Sequence, residues 1–282
     1  MASRRRAAML ALVLVSLMLA AALITPLALF SSIEALAANR RAATLRHRLA
    51  ADSAIAMSSR LLAADKRLDQ ALDRNNRASF TLRLEDLSVE VLLQDDTAKL
   101  PLPLLLESRE TRRAADALAQ LQSRAGLPQL TLRSEGESSR NGPRWSVCAD
   151  DLFEDPTDAK LFGTAAAGNA WMTYITPVGG AIQVYRAPIE VLAAALADLQ
   201  SRLGERIAQV RDPRDKGGVA ALLAKFELPQ PIARQAARRL TTQTERYSLL
   251  IRTQLGRDVR QRYVICTAGD PPIVVVDWEV AP

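Results

Sequence analysis

Few residues in this chain could carry chemistry. There is one His, His47, and there are two Cys, Cys148 and Cys266. A single His removes most zinc sites and every Ser-His or Cys-His scheme that His47 cannot serve. His47 lies in a helical pattern behind a long apolar run, which fits a solvated helix residue. The Cys form no CxxC or Cys/His cluster. They pair if the body lies in an oxidising compartment, and are buried thiols if it does not. Asp150, Asp151, Glu154 and Asp155 are the densest group of metal-type ligands. Their spacing lacks the ordered oxygens and Gly turn of an EF-hand loop, so a surface acidic loop fits them better than a metal site. No constellation for nucleophilic or acid–base catalysis is present, and no enzymatic activity is expected.

The N-terminus can instead be the substrate of chemistry. Arg4, Arg5 and Arg6 precede Ala7 to Ile33, a stretch without a charged residue. About 20 apolar residues cross a bilayer core as a helix. Three readings compete. A secretory signal has a basic start, and Ala35-Leu36-Ala37 offers an AxA-like site, but the apolar run exceeds the roughly 7–15 residues of such signals. An uncleaved anchor is the second reading. The three-Arg leader favours a cytoplasmic N-terminus, although Arg40, Arg41, Arg46 and Arg48 follow the span. The third is a prepilin-type leader: a short basic peptide, a small residue, then the apolar run. RRRAA before MLALVLV has that form and places the cut between Ala8 and Met9.

The elements behind this stretch define the fold. Glu34 to about Leu72 is rich in Ala, Leu and Arg, all strong helix formers. Leu45, Leu49, Asp52 and Ile55/Ala56 step at three and four, so a stripe on that face is expected to pack. The anchor and this stretch read as one rod, with Pro26 expected to kink it. The period then changes to two. Phe80, Leu82 and Leu84, then Val89, Val91 and Leu93, predict two strands packed on one face against the rod. Asp95-Asp96-Thr97 predicts a turn, and Pro101 and Pro103 forbid a central strand after it. Arg109 to Arg124 predicts a helix stopped at Gly126. Leu132 to Arg144 reads as a long loop. Ala181 to Tyr185 predicts a strand, and Ile189 to Arg211 one helix. Gly218 to Phe226 and Pro231 to Leu240 predict two short helices. Arg246 to Gln254, Val259 to Thr267 and Ile273 to Val280 predict an antiparallel meander.

Composition narrows the class. The chain has 282 residues, is 49% apolar and 24% charged, and carries a net charge of +6. That supports a packed body and argues against wholesale disorder. Aromatics are 4% of residues, so the stacking platforms of single-strand binders are not expected, and neither is nucleic acid.

The order of elements resembles the minor pseudopilin K family of the type II secretion system. Gln94 to Pro103, QDDTAKLPLP, resembles the family's DE-x-GK-h-N-h-N segment, with Pro101 and Pro103 at its Asn positions. Ala181 to Leu196 resembles the family's second copy, a strand followed by an AP-EVL helix, with Gln183 and Tyr185 at the Asn positions. The closing strands resemble its final meander, down to Asp277-Trp278-Glu279. The resemblance implies an α+β, pilin-like fold: a long N-terminal helix on an antiparallel sheet, with a helical insertion domain. It divides the chain into a leader (1–8), a transmembrane part (9–33), the rest of the helix and first strands (34–108), a mainly helical insertion (109–240) and C-terminal strands (241–282).

It further implies a single-pass inner-membrane subunit with a cytoplasmic N-terminus and a periplasmic body. Its partners would be other minor pseudopilins in a tip complex, the inner-membrane assembly platform and a prepilin peptidase, with methylation of the processed chain. The family also holds calcium in its insertion, by an acidic motif not found here. Major pilin-like subunits carry Glu at the fifth mature residue; here that residue is Val13. A minor pilin of a type IV pilus or DNA-uptake system, and a membrane-anchored periplasmic enzyme, are the alternative readings.

Overall fold

The computed structural model describes residues 2–64, 77–102, 111–127, 168–212, 217–269 and 271–280. The first element, α1, runs over Ala2–Ala64 and stays helical through Pro26. Thr25 Oγ1 donates to the Ala21 carbonyl at 2.7 Å, one turn back. The chain divides into two units, Met1–Leu49 and Ala50–Pro282. The first is the leading part of α1. Leu17, Met18, Ile24, Leu27 and Phe30 are exposed on it, and it holds an apolar stretch long enough to cross a membrane. His47 is not the solvated residue expected: it is 3% exposed.

In the second unit, α1 buries Ala50, Ala51, Ala54, Ile55 and Ser58, spaced three and four apart. This is not the stripe expected from the leucines. Leu45 and Leu49 are exposed, as are Asp52 and Ala56; only Ile55 was on the packed face. The physical reason is closeness. Alanines let the helix backbone come down onto the sheet, where leucines would hold it away. The alanine face and Ile55 pack with Leu87, Val89, Val91, Leu93, Tyr247, Leu249, Ile251, Val264 and Cys266 in one core.

Those residues belong to a five-stranded antiparallel sheet of β1 (Arg77–Leu84), β2 (Leu87–Asp95), β7 (Arg246–Leu255), β8 (Asp258–Thr267) and β9 (Val274–Val280). The order is β1-β2-β7-β8-β9. The alternation read from sequence is seen in β2, where Val89, Val91 and Leu93 face α1 while Ser88 and Glu90 do not; in β1, Phe80 and Leu82 pack on the same core, but Leu84, expected there, is exposed. Thus β2 and β7, neighbours in space, are separated by the whole insertion.

The insertion leaves and returns twice, each time through a two-residue parallel pair. β3 (Leu100–Pro101) pairs with β4 (Ile175–Thr176), and β5 (Ile182–Gln183) with β6 (Leu240–Thr241). Pro101 thus sits in a short isolated pair, consistent with its exclusion from a central strand. The first excursion holds α2 (Thr111–Ala125), ended by Gly126 at φ +64, and α3 (Gly168–Tyr174). The second holds α4 (Ile189–Leu196), α5 (Leu203–Val210), α6 (Gly218–Ala224) and α7 (Gln230–Arg239).

The single helix expected over Ile189 to Arg211 is two helices. The chain turns at Ala197 to Arg202, with Arg202 left-handed at φ 59. The turn folds α5 back on α4, so that Leu192, Leu196, Leu203 and Ile207 share a core with Trp171, Leu121 and Leu222. Propensity favoured one long helix, and burying both apolar faces required the break. Leu240, read as a helix end, is the start of β6.

Candidate functional site

Where β2 gives way to the insertion, the chain puts charges inside. Asp95, Asp96, Thr97 and Lys99 are each at most 2% exposed. They lie on and around a one-turn 3-10 helix, Asp96–Ala98, capped by Asp95, whose Oδ1 accepts from the Thr97 N–H at 2.9 Å. An Asp at this position satisfies an amide that the turn leaves without a main-chain partner.

Each buried charge is met by residues from distant parts of the chain. Asp95 Oδ2 accepts from Thr244 Oγ1 at 2.6 Å and lies 3.3 Å from Arg186 Nη1. Asp96 Oδ2 accepts from Thr176 Oγ1 at 2.7 Å. Lys99 Nζ is 3.2 Å from Asp96 Oδ1, and donates to Ser248 Oγ at 2.7 Å and Tyr263 OH at 3.2 Å. Thr97 Oγ1 accepts from the Glu245 and Arg246 N–H groups, both at 3.0 Å. Arg246 Nη1 donates to the Gly179 carbonyl, and its Nε lies 3.9 Å from Asp96 Oδ2. Gly180, at φ +141, is needed here, because a Cβ would stand 2.7 Å from Arg246 Nη1.

This cluster ties β2, β7 and β8 to both excursions: Thr176 ends the first, and Arg186 and Thr244 flank the second. It forms a clasp in which the ammonium and both carboxylates are engaged by partners. Burial pushes the Lys99 ammonium down, against the pull of Asp96. Burial, and then the Asp96 charge, push the Tyr263 hydroxyl well up. Among the described residues no three His, Cys, Asp or Glu side chains are grouped as a metal site.

Asp95 has a consequence for pH. Burial raises its carboxyl to about 6, against the hydrogen bonds from Thr244 and Thr97 and with added repulsion from Asp96. A carboxyl raised in the folded state stabilises most below its unfolded value near 4, and that contribution fades as pH rises through about 6. Relative to Asp95→Asn, which cannot titrate, the wild type is expected to gain on the order of 2 kcal/mol between pH 7.5 and pH 4.5. Urea melts of both proteins at the two pH values measure it. A wild-type advantage that is flat, or that grows with pH, would contradict this burial.

The other sequence-derived site residues are not brought to the clasp. Ala8, Met9 and Val13 lie within α1, in the unit Met1–Leu49. Cys266 is fully buried between the sheet and α1, and burial raises its thiol to about 11. Its proposed partner Cys148, and Asp150, Asp151, Glu154 and Asp155, fall outside the described residues. Sequence reading took Asp95 to Thr97 as an ordinary turn and assigned the clasp no role. The signal available was local: two adjacent acids and a Lys three residues after the second, set against the apolar run of Leu100 to Leu102.

The fold defined by α1, the five-stranded sheet and the inserted helices is a pilin-like α+β fold. It is similar to a chain of the GspK-GspI-GspJ complex from the type 2 secretion system of enterotoxigenic Escherichia coli. The TM-score is 0.52 and the identity 14%, over 86% of this chain and 99% of that chain. No family model matches the sequence, and no curated protein does. The likeness is therefore one of fold, and it extends over nearly the whole of both chains.

Proposed function

We propose that this chain is a minor pseudopilin, of the K type, at the tip of a type II secretion pseudopilus, where it starts assembly of the filament that exports folded proteins. Its place is the inner membrane, spanned once, with the body in the periplasm. Other minor pseudopilins, the assembly platform and a prepilin peptidase are its partners. It carries out no reaction of its own, and pairing of Cys148 with Cys266 belongs to the same reading.

One observation carries the tip assignment: no Asp or Glu precedes Glu34. A shaft subunit offers a carboxylate near its mature N-terminus to neutralise a neighbour's free amine inside the bilayer, where an unpaired charge is costly. With Val13 at that place the chain cannot offer one, wherever the leader is cut. It can sit above its neighbours but cannot be repeated among them. The similarity of its fold to a chain from a complex of three Gsp proteins supports this reading.

Mass spectrometry of the membrane form is expected to show a new N-terminus at or next to Met9, and co-purification to recover other pilin-like chains at low copy. Wild-type protein recovered as long homopolymers, or processed to start at Ala38, would overturn it. Val13→Glu is expected to permit incorporation along a shaft.

A further inference from the structure

The sheet has two open edges, and they differ in chemistry. β1 exposes Ser79, Thr81 and Arg83 along its length, and polar and charged side chains of that kind protect a free edge. β9 differs over its first residues, before the exposed Asp277 and Glu279. Val274 and Val275 on the strand are exposed, and Ile273 just before it is 66% exposed. The strand Val274–Val280 contains neither Lys nor Pro. Its pairing with β8 slips between Ile265 and Cys266, opposite this apolar end. The rest of the strand is anchored: Val276 and Trp278 pack on the core of the insertion, and Asp277 is gripped by Arg262 at 2.6 Å. An edge so firmly held, yet so apolar, is a defined surface rather than a fraying end.

We infer that β9 is a docking edge to which an edge strand of a different pilin-like subunit adds as the next strand of the sheet. This rests on the reading of the chain as one subunit of a pilin-like assembly. Three observations select the occupant. The first is the main chain. β8 is the strand's sole neighbour among the described residues, and the outward row of N–H and C=O groups is matched in full by another extended strand. The second is charge. The apolar Ile273 to Val275 end is followed on the α1 side of the sheet by Glu279, beyond Asp277, whose charge Arg262 already meets; Asp277 stands opposite Val264 of the α1-facing core, which sets that side. The complementary strand is apolar at one end and carries Lys or Arg at the other, on that same face.

The third observation excludes a second copy. Two antiparallel β9 strands would set the apolar end of each against the acids of the other. Pairing β9 with β1 of another copy is head-to-tail in either direction: set parallel, it leaves Arg83, opposite Ser88 on the face away from α1, across the sheet from Glu279, and set antiparallel, it turns the second copy over. Either contact would propagate without closing, which a subunit placed once at a filament tip does not do.

The test places a photoreactive amino acid at Ile273 or at Glu279 of the full-length chain, in membranes of its own cells, with Thr81 on β1 as the control. Cross-linked peptides are then sequenced. Both β9 positions are expected to capture one segment of one different chain, alternating in pattern and bearing Lys or Arg, with yields roughly tenfold above Thr81. Capture of the same chain, of lipid alone, or of nothing above the control would overturn the inference. In parallel, Ile273→Lys with Val275→Lys changes only exposed side chains. It is expected to lower the yield of co-purified pilin-like chains roughly tenfold at an unchanged Tm. If those chains co-purify undiminished, the edge assignment falls and the tip-subunit reading stands. If none co-purifies even with the wild type, both fall.

Discussion

Gly204→Ala is expected to lower stability by about 3 kcal/mol, a fall in Tm of roughly 6–12 °C for a body of this size. The cause is the approach of α5 to α4. A Cβ on Gly204 would stand 2.2 Å from the Leu192 carbonyl oxygen, 2.3 Å from its carbon and 2.5 Å from the Ala193 nitrogen. All three are backbone atoms, so no side chain can rotate away. The helices must separate by on the order of an ångström, opening the core around Leu192, Leu196, Leu203 and Ile207. The gain of up to ~1 kcal/mol in helix propensity on replacing Gly offsets only part of this. Gly269→Ala is the control, since its nearest neighbour would be 3.6 Å away. Thermal melts of the detergent-purified chain measure the effect. If Gly204→Ala melts within a degree or two of the wild type, the close crossing of α4 and α5 is wrong.

The second large effect is in the clasp. Asp96→Ala removes the carboxylate that Lys99 and Arg246 face and the acceptor that Thr176 uses. It leaves a buried ammonium with only Ser248 and Tyr263. Breaking a buried pair from one side costs about 3–5 kcal/mol, because the remaining charge stays desolvated. Lys99→Met is expected to cost less, since Asp96 keeps Thr176 and Arg246. The decisive variant is the double one. Asp96→Leu with Lys99→Met removes both charges, and should be more stable than Asp96→Ala alone. Chemical unfolding of Asp96→Leu, Lys99→Met and the double variant gives the coupling. Strictly additive losses would mean that Asp96 and Lys99 do not act as a pair.

These two effects mark where sequence reading stops. Much of the fold follows from local pattern. The apolar run behind three arginines needs only its length and its lack of charge to be a helix long enough to cross a membrane. β1, β2 and the β7-β8-β9 meander follow from period-two alternation and from the turns at Glu85-Asp86 and Gly256-Arg257. Those features are local, because a strand's two faces and a hairpin's turn are written in consecutive residues.

Tertiary structure decided the rest. It chose alanines over leucines as the packed face of α1, because they let the helix come close to the sheet. It broke the stretch from Ile189 to Arg211 in two, because burying both apolar faces required a turn that propensity alone did not. It buried His47. Above all it turned Asp95, Asp96 and Lys99 inward. QDDTAK offers a local hint, two acids and a Lys before an apolar run, but not that these charges are buried. Their partners Thr176, Arg186, Thr244, Arg246, Ser248 and Tyr263 come from both excursions and from two later strands. A buried charge is tolerable only once those partners have arrived, and their arrival is a property of the whole fold.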